Sequence, residues 1–153
     1  MTTVDLGDER ATAALAAQLA ALARPGDVIA LSGDLGAGKT SFARAFIEAR
    51  GGAESVPSPT FTLVQTYDLP GGAIWHFDLY RLRAAEEAWE LGIEEAFETG
   101  ISLIEWPERL GALLPARRLE IALDFGAGPG SRRAILDSGG DWAARLATAA
   151  AGA

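Results

Sequence analysis

The chain has 153 residues, a length that predicts one domain with its own core. Its formal net charge of −8 argues against strong autonomous nucleic-acid binding, which needs cationic side chains to neutralise phosphates. Because it has no cysteine, a disulfide framework and a thiolate metal site are excluded. With no long apolar run and no signal-like N-terminus, we expect a cytoplasmic protein without a membrane segment.

Predicted helices and strands alternate along the chain. A first amphipathic helix covers 11–23, a short apolar strand covers 28–31, and a helix runs from Lys39 to Arg50. Strands are expected at 61–67, 73–79, 101–105, 119–125 and 132–136. Helices are expected at 84–91 and 108–114, with a further short helix that ends at Phe97 and a terminal helix that begins at Asp141. This order predicts an α/β, three-layer sandwich with a mixed, mainly parallel sheet and an inserted antiparallel hairpin.

Residues 33–40, Gly-Asp-Leu-Gly-Ala-Gly-Lys-Thr, have the spacing of a phosphate-binding P-loop between a strand and a helix. Glycines let successive backbone N–H groups surround an anion, and the helix N-terminus adds further donors. Lys39, the only lysine of the chain, suits the β- and γ-phosphates, and the Thr40 hydroxyl suits Mg²⁺. An accidental glycine-rich turn is the alternative. The predicted nucleotide contacts are Gly33, Asp34, Leu35, Gly36, Ala37, Gly38, Lys39, Thr40 and Ser41.

Two acids end apolar strands, Asp78 and Glu105. Both should emerge near the phosphates, because the P-loop and the carboxyl ends of the strands share one edge of the sheet. Glu105 is predicted to join the Mg²⁺ shell, and Asp78 to contact the metal or orient the attacking water. The alternatives are an Asp78–Arg81 salt bridge and, for Glu105, an acid at the N-terminus of the next helix.

Three further residues are candidates near this edge. Thr60 lies in a Pro-stiffened loop, where P-loop switch proteins carry a threonine that senses the γ-phosphate and metal. His76, the only histidine, is predicted to be a strand residue with one hydrogen bond rather than a catalytic group. Trp106 could belong to the core, the nucleotide site or an interface.

The nucleotide is predicted to be ATP rather than GTP. The guanine-reading Asn-Lys-x-Asp motif needs a lysine, and the single lysine already lies in the P-loop.

Four segments together resemble the TsaE (also called YjeE) family: residues 33–42, 58–64, 76–81 and 105–108. That family contains the small ATPase of bacterial tRNA threonylcarbamoyladenosine synthesis. The resemblance implies binding of Mg²⁺ with ATP or ADP, and assembly with the TsaD–TsaB pair, which modifies adenosine thirty-seven of tRNA. Contact with tRNA would be only indirect. Hydrolysis, weak in the lone protein, is expected to reset the assembly between turnovers.

The resemblance also implies roles for particular residues. Lys39 and the loop amides would hold phosphates, Thr40 and Glu105 would hold Mg²⁺, and Asp78 and Thr60 would act in catalysis or switching. Two further nucleotide contacts are implied by looser matches: Arg132, after the late turn, and Glu9, near the base.

Two other functions fit a P-loop. A small-molecule kinase would need an acceptor pocket and usually an arginine-rich lid, and no lid insertion is evident between Arg109 and Arg133. A non-catalytic switch would bind nucleotide and hydrolyse it only incidentally.

Overall fold

A computed structural model describes residues 2–34, 36–52, 63–139 and 141–151. Within these ranges the chain forms seven strands, four α-helices and two 3₁₀ helices. In chain order they are β1 (Thr2–Leu6), α1 (Glu9–Leu22), β2 (Val28–Ser32), α2 (Lys39–Ala49), β3 (Val64–Tyr67), β4 (Ile74–Asp78), a 3₁₀ helix (Ala85–Leu91), α3 (Ile93–Thr99), β5 (Ile101–Glu105), a 3₁₀ helix (Pro107–Leu113), β6 (Leu119–Phe125), β7 (Arg132–Ser138) and α4 (Trp142–Ala151).

The described strands form one sheet in the order β1-β7-β6-β2-β5-β4-β3. The four central strands, β6, β2, β5 and β4, are parallel, whereas β1, β7 and β3 pair antiparallel with their neighbours. The mixed sheet with a parallel centre is therefore confirmed. The predicted hairpin is β3–β4, and it extends one edge of the sheet.

Helices cover both faces of the sheet, which confirms the three layers. On one face α1 and α2 pack through Leu19 and Phe46 against Ile29 and Leu103. On the other face α3 and the 3₁₀ helices pack against a second apolar cluster that includes Phe77. Successive side chains of a strand point to opposite faces, so β2, β5 and β4 contribute to both cores, whereas the buried residues of β6 lie in the first core alone.

The strand β1 was not among the predicted elements. Only Leu6 of its five residues is buried, because β1 lies at the edge of the sheet and is paired on one side, with β7. A short, polar, half-exposed edge strand carries little hydrophobic pattern. The helices predicted at 84–91 and 108–114 are present and are of the 3₁₀ type.

The P-loop is held against the sheet by a close backbone approach at Gly33. This residue has φ of 139°, and a Cβ there would collide with the Leu123 carbonyl oxygen of β6. Only glycine fits such a position. The approach fixes the loop between the end of β2 and the start of α2.

Replacement of the buried Phe46 by alanine should lower the free energy of unfolding by about 3–5 kcal/mol, because it leaves a cavity between α2 and the sheet. Urea unfolding followed by far-ultraviolet circular dichroism measures this loss. The matched control is Phe125→Ala: Phe125 is 52% exposed, so its removal should cost no more than about 0.5 kcal/mol. Equal losses for the two variants would contradict the assigned core.

Candidate functional site

The carboxyl ends of three parallel strands, β2, β5 and β4, meet at one edge of the sheet. Asp78, the last residue of β4, is directly opposite Glu105, the last residue of β5. The start of α2 lies beside them, and together these segments border a cavity of about 260 Å³. Its lining residues are Gly36, Gly38, Lys39, Thr40, Ser41, Asp78, Tyr80, Glu105, Trp106 and Arg132.

Lys39 lies at this cavity with only 5% of its surface exposed. Its Nζ donates to the carbonyl oxygens of Gly33 at 2.5 Å and Asp34 at 2.9 Å. Burial lowers the pKa of the Lys39 ammonium, and nearby carboxylates, Glu105 first among them, oppose that shift. In this structure the P-loop backbone therefore supplies two hydrogen-bond acceptors for its own lysine.

Glu105 joins the P-loop helix to the strand ends. One carboxylate oxygen accepts the Thr40 hydroxyl at 2.8 Å, and the other lies 2.6 Å from His76 Nε2. The side chain is therefore turned into the site. The N-cap position of the following 3₁₀ helix is Trp106, and no side-chain hydrogen bond caps that helix. Asp78, 5% exposed, accepts the backbone N–H of Tyr80 at 3.2 Å.

Two aromatic rings form one wall of the cavity. Trp106 has φ of 61°, the left-handed region that bulky residues seldom occupy, and its ring centre is 4.1 Å from Lys39 Nζ. Its ring contacts Tyr80 at a centroid distance of 4.9 Å. Trp106, whose place the sequence left open, packs against the second apolar cluster and also lies beside the P-loop lysine. Tyr80 was missed, although it follows Asp78 by only two positions.

Arg132 brings the turn between β6 and β7 to the P-loop. Its guanidinium donates to the Gly36 carbonyl at 3.1 Å and lies 4.9 Å from the centre of the Phe125 ring. Phe125 was not predicted. Glu9 is the first residue of α1, exposed, and absent from the described lining of the cavity.

The remaining predicted P-loop contacts take different places. Gly36, Gly38 and Ser41 line the cavity, and Ala37 is buried with its N–H donating to Asp34. Leu35, Thr60 and the rest of the Ser58–Thr60 segment lie outside the described residues. The roles predicted for Thr60 and Glu9 stay predictions.

The donor set at this edge suits a hard divalent cation. Thr40, Glu105 and Asp78 offer oxygen atoms, the ligand type that Mg²⁺ prefers. Across the described residues no three His, Cys, Asp or Glu side chains form a metal-binding group by themselves.

Comparison with known proteins shows the family of the chain. The sequence model of a family described as "Threonylcarbamoyl adenosine biosynthesis protein TsaE" matches residues 6–134. The chain belongs to the TsaE family. Its relatives are named tRNA threonylcarbamoyladenosine biosynthesis protein TsaE. The Rickettsia bellii protein is 45% identical, and the match covers 77% of this chain and 83% of that protein. The Bacillus subtilis protein is 42% identical, and the match covers 73% of this chain and 70% of that protein.

A solved structure has the same fold. The crystal structure of Bacillus subtilis YdiB superposes with a TM-score of 0.78 at 32% identity, covering 96% of this chain and 92% of that one. In the part of the chain that the structure describes, the helices are too short or too polar to cross a membrane.

Lys39 should be the single lysine acylated by an ATP-mimetic acyl phosphate, and excess Mg-ATP should protect it, since Nζ borders the cavity. Mass spectrometry of the labelled chain measures both effects. Lys39→Arg is the control for labelling elsewhere. Acylation that is unaffected by Mg-ATP would contradict a phosphate-binding role.

Proposed function

We propose that this TsaE-family protein is the Mg²⁺-dependent ATP-binding and hydrolysing subunit that acts with TsaD and TsaB in threonylcarbamoylation of tRNA. One observation carries the proposal. Lys39, Thr40, Asp78 and Glu105 converge on a single cavity at the N-terminus of α2. A lysine, a hydroxyl and two acids beside a helix N-terminus are the parts that P-loop nucleotide hydrolysis requires.

The P-loop supports a nucleotide with its phosphates at the start of α2. Gly36 and Gly38 both have positive φ, which turns backbone N–H groups toward an anion. Lys39 would leave the Gly33 and Asp34 carbonyls and bind phosphate oxygens, which are stronger acceptors because they are charged. Arg132, held at the Gly36 carbonyl, lies where it can contact the same nucleotide.

Thr40 and Glu105 are the residues that would hold Mg²⁺, with Asp78 beside them. When bound, Mg²⁺ would neutralise charge that develops on the phosphates as the γ-phosphoryl group passes to water and ADP leaves. Thr40 would offer its hydroxyl oxygen to the metal while its O–H goes on donating to Glu105, as it does in the 2.8 Å hydrogen bond. Asp78 lies across the strand pair from Glu105 and is our candidate for orienting the attacking water.

Weak activity of the lone protein and completion by partners are part of the proposal. The cavity is open to solvent beside Ser41 and Tyr80, both exposed. Water that is free to exchange weakens electrostatic stabilisation of the transition state. A partner that covers this side would exclude that water. The net charge of −8 supports contact with tRNA through TsaD and TsaB rather than directly.

Phosphate release from Mg-ATP should be slow for the protein alone and should rise strongly when purified TsaD and TsaB are added. Lys39→Ala should reduce the stimulated rate on the order of 10²–10³-fold, because a charged donor to the phosphates is lost. Arg44→Ala is the matched control: it removes a cation from the same helix at an exposed position outside the cavity lining. A continuous phosphate assay gives all the rates.

Three results would contradict the proposal in different ways. No stimulation with ATP still bound favours a passive nucleotide switch. Transfer of labelled γ-phosphate to a small acceptor instead of water favours a kinase. Equal losses in Lys39→Ala and Arg44→Ala would show that the assigned cavity is not where the phosphates bind.

Nucleotide binding should change the fluorescence of Trp106, because its ring lies against the ammonium of Lys39, which must move to meet phosphate. Emission spectra with ADP and with a non-hydrolysable ATP analogue should also differ from each other. Trp106→Phe should abolish the change, whereas Trp89→Phe, at an exposed position on the 3₁₀ helix Ala85–Leu91, should retain it. Identical spectra in the two nucleotide states would contradict a Trp106 region that responds to the γ-phosphate.

A further inference from the structure

His76 is a fully buried histidine in the middle of β4, and it is the only histidine of the chain. It is opposite Leu103 in the β4–β5 register, and Glu105 lies two residues further along β5 on the same face. The Nε2 atom is 2.6 Å from Glu105 Oε2. A carboxylate oxygen can only accept, so Nε2 carries the hydrogen and donates it.

The same carboxylate bonds the P-loop helix through its other oxygen, which accepts from Thr40 Oγ1 at 2.8 Å. His76, Glu105 and Thr40 therefore form a line of hydrogen bonds from β4 through β5 to α2. The terminal torsion of a glutamate is soft when nothing holds it. With His76 bound to one oxygen, the second oxygen has one orientation, toward Thr40 and the cavity.

We propose that His76 is a positioning residue for Glu105: it holds one carboxylate oxygen so that the other is presented to Thr40 and to a bound Mg²⁺. The inference rests on the proposed function, and adds to it a residue that lies outside the lining of the cavity. Hydrogen bonds from a second layer of residues commonly fix the orientation of metal-binding carboxylates.

The surroundings of His76 favour this role over simple packing. Its Nδ1 is buried without a hydrogen-bond partner among the described residues. Two residues earlier on the same face of β4, Ile74 is fully buried among apolar side chains with no polar atom to satisfy. An apolar residue at 76 would avoid the unpartnered nitrogen but could not donate to Glu105.

The test compares two replacements of similar length. His76→Gln keeps an N–H donor that can reach Glu105, whereas His76→Met has none. The affinity for fluorescent mant-ADP is measured for each with Mg²⁺ and with EDTA, and thermal unfolding checks that each is folded. We expect equal affinities in EDTA. The ratio of the affinity with Mg²⁺ to the affinity in EDTA should be about 10- to 100-fold smaller in His76→Met than in the unaltered protein. His76→Gln should keep the ratio of the unaltered protein.

A second measurement uses the unaltered protein. Because the chain has a single histidine, the two ring ¹⁵N resonances in a long-range ¹H–¹⁵N spectrum belong to His76. The spectrum should show the proton on Nε2. Addition of Mg²⁺ to the ADP-bound protein should shift the Nε2 resonance, because the cation draws charge from the carboxylate that accepts its hydrogen.

Each outcome has one meaning. Three results would overturn the role of His76 and leave nucleotide binding intact. They are full retention of the Mg²⁺ effect in His76→Met, equal impairment of both variants, and ring resonances that Mg²⁺ does not move. Wild-type protein that binds no mant-ADP, or binds it equally with and without Mg²⁺, would overturn the proposed function and this inference together.

Discussion

The parallel pairing of β2, β4 and β5 is the constraint on which the site depends. Parallel strands end at the same edge of a sheet, so their last residues become neighbours although they are far apart in sequence. Here that pairing places Asp78 opposite Glu105 and both beside the loop that follows β2. The close backbone approach of Gly33 to β6 then holds the loop at that edge.

Charged groups are buried at this edge, where a stable fold alone would not place them. Lys39, Asp78 and Glu105 are each at most 5% exposed. Removing charges from water costs free energy that ion pairs and hydrogen bonds offset only in part. The concentration of such groups around one cavity is therefore typical of a functional site, where a dry environment strengthens electrostatic interactions. Each of the charges has hydrogen-bond partners that a bound ligand could replace or reorient.

The arrangement links the proposed chemistry to the surface. Lys39 contacts Trp106, and Trp106 contacts the exposed Tyr80, so in the proposed function a change at Lys39 would reach solvent through two rings. The left-handed backbone of Trp106 is a costly conformation for a large residue and persists only where the surroundings favour it. This path lies on the open side of the cavity, where the proposed partners would bind.

The sequence by itself determined the elements whose signals are local. The strand predicted at 101–105 has those bounds in the structure, and the P-loop lies between β2 and α2 as its glycine spacing indicated. Hydrophobic period, glycine spacing and strand-terminal acids all act over a few residues, so they can be recognised without knowledge of the fold.

Only the tertiary structure decided what depends on distant partners. The edge strand β1 is defined by its pairing with β7, and the place of Trp106 by its contact with Lys39. Thr40 and Glu105 are 65 positions apart, and His76 and Glu105 are 29 apart. The sequence could indicate that Glu105 would face the nucleotide and that His76 would make one hydrogen bond. That they bind each other follows from strand order and register, which arise from packing of the whole sheet.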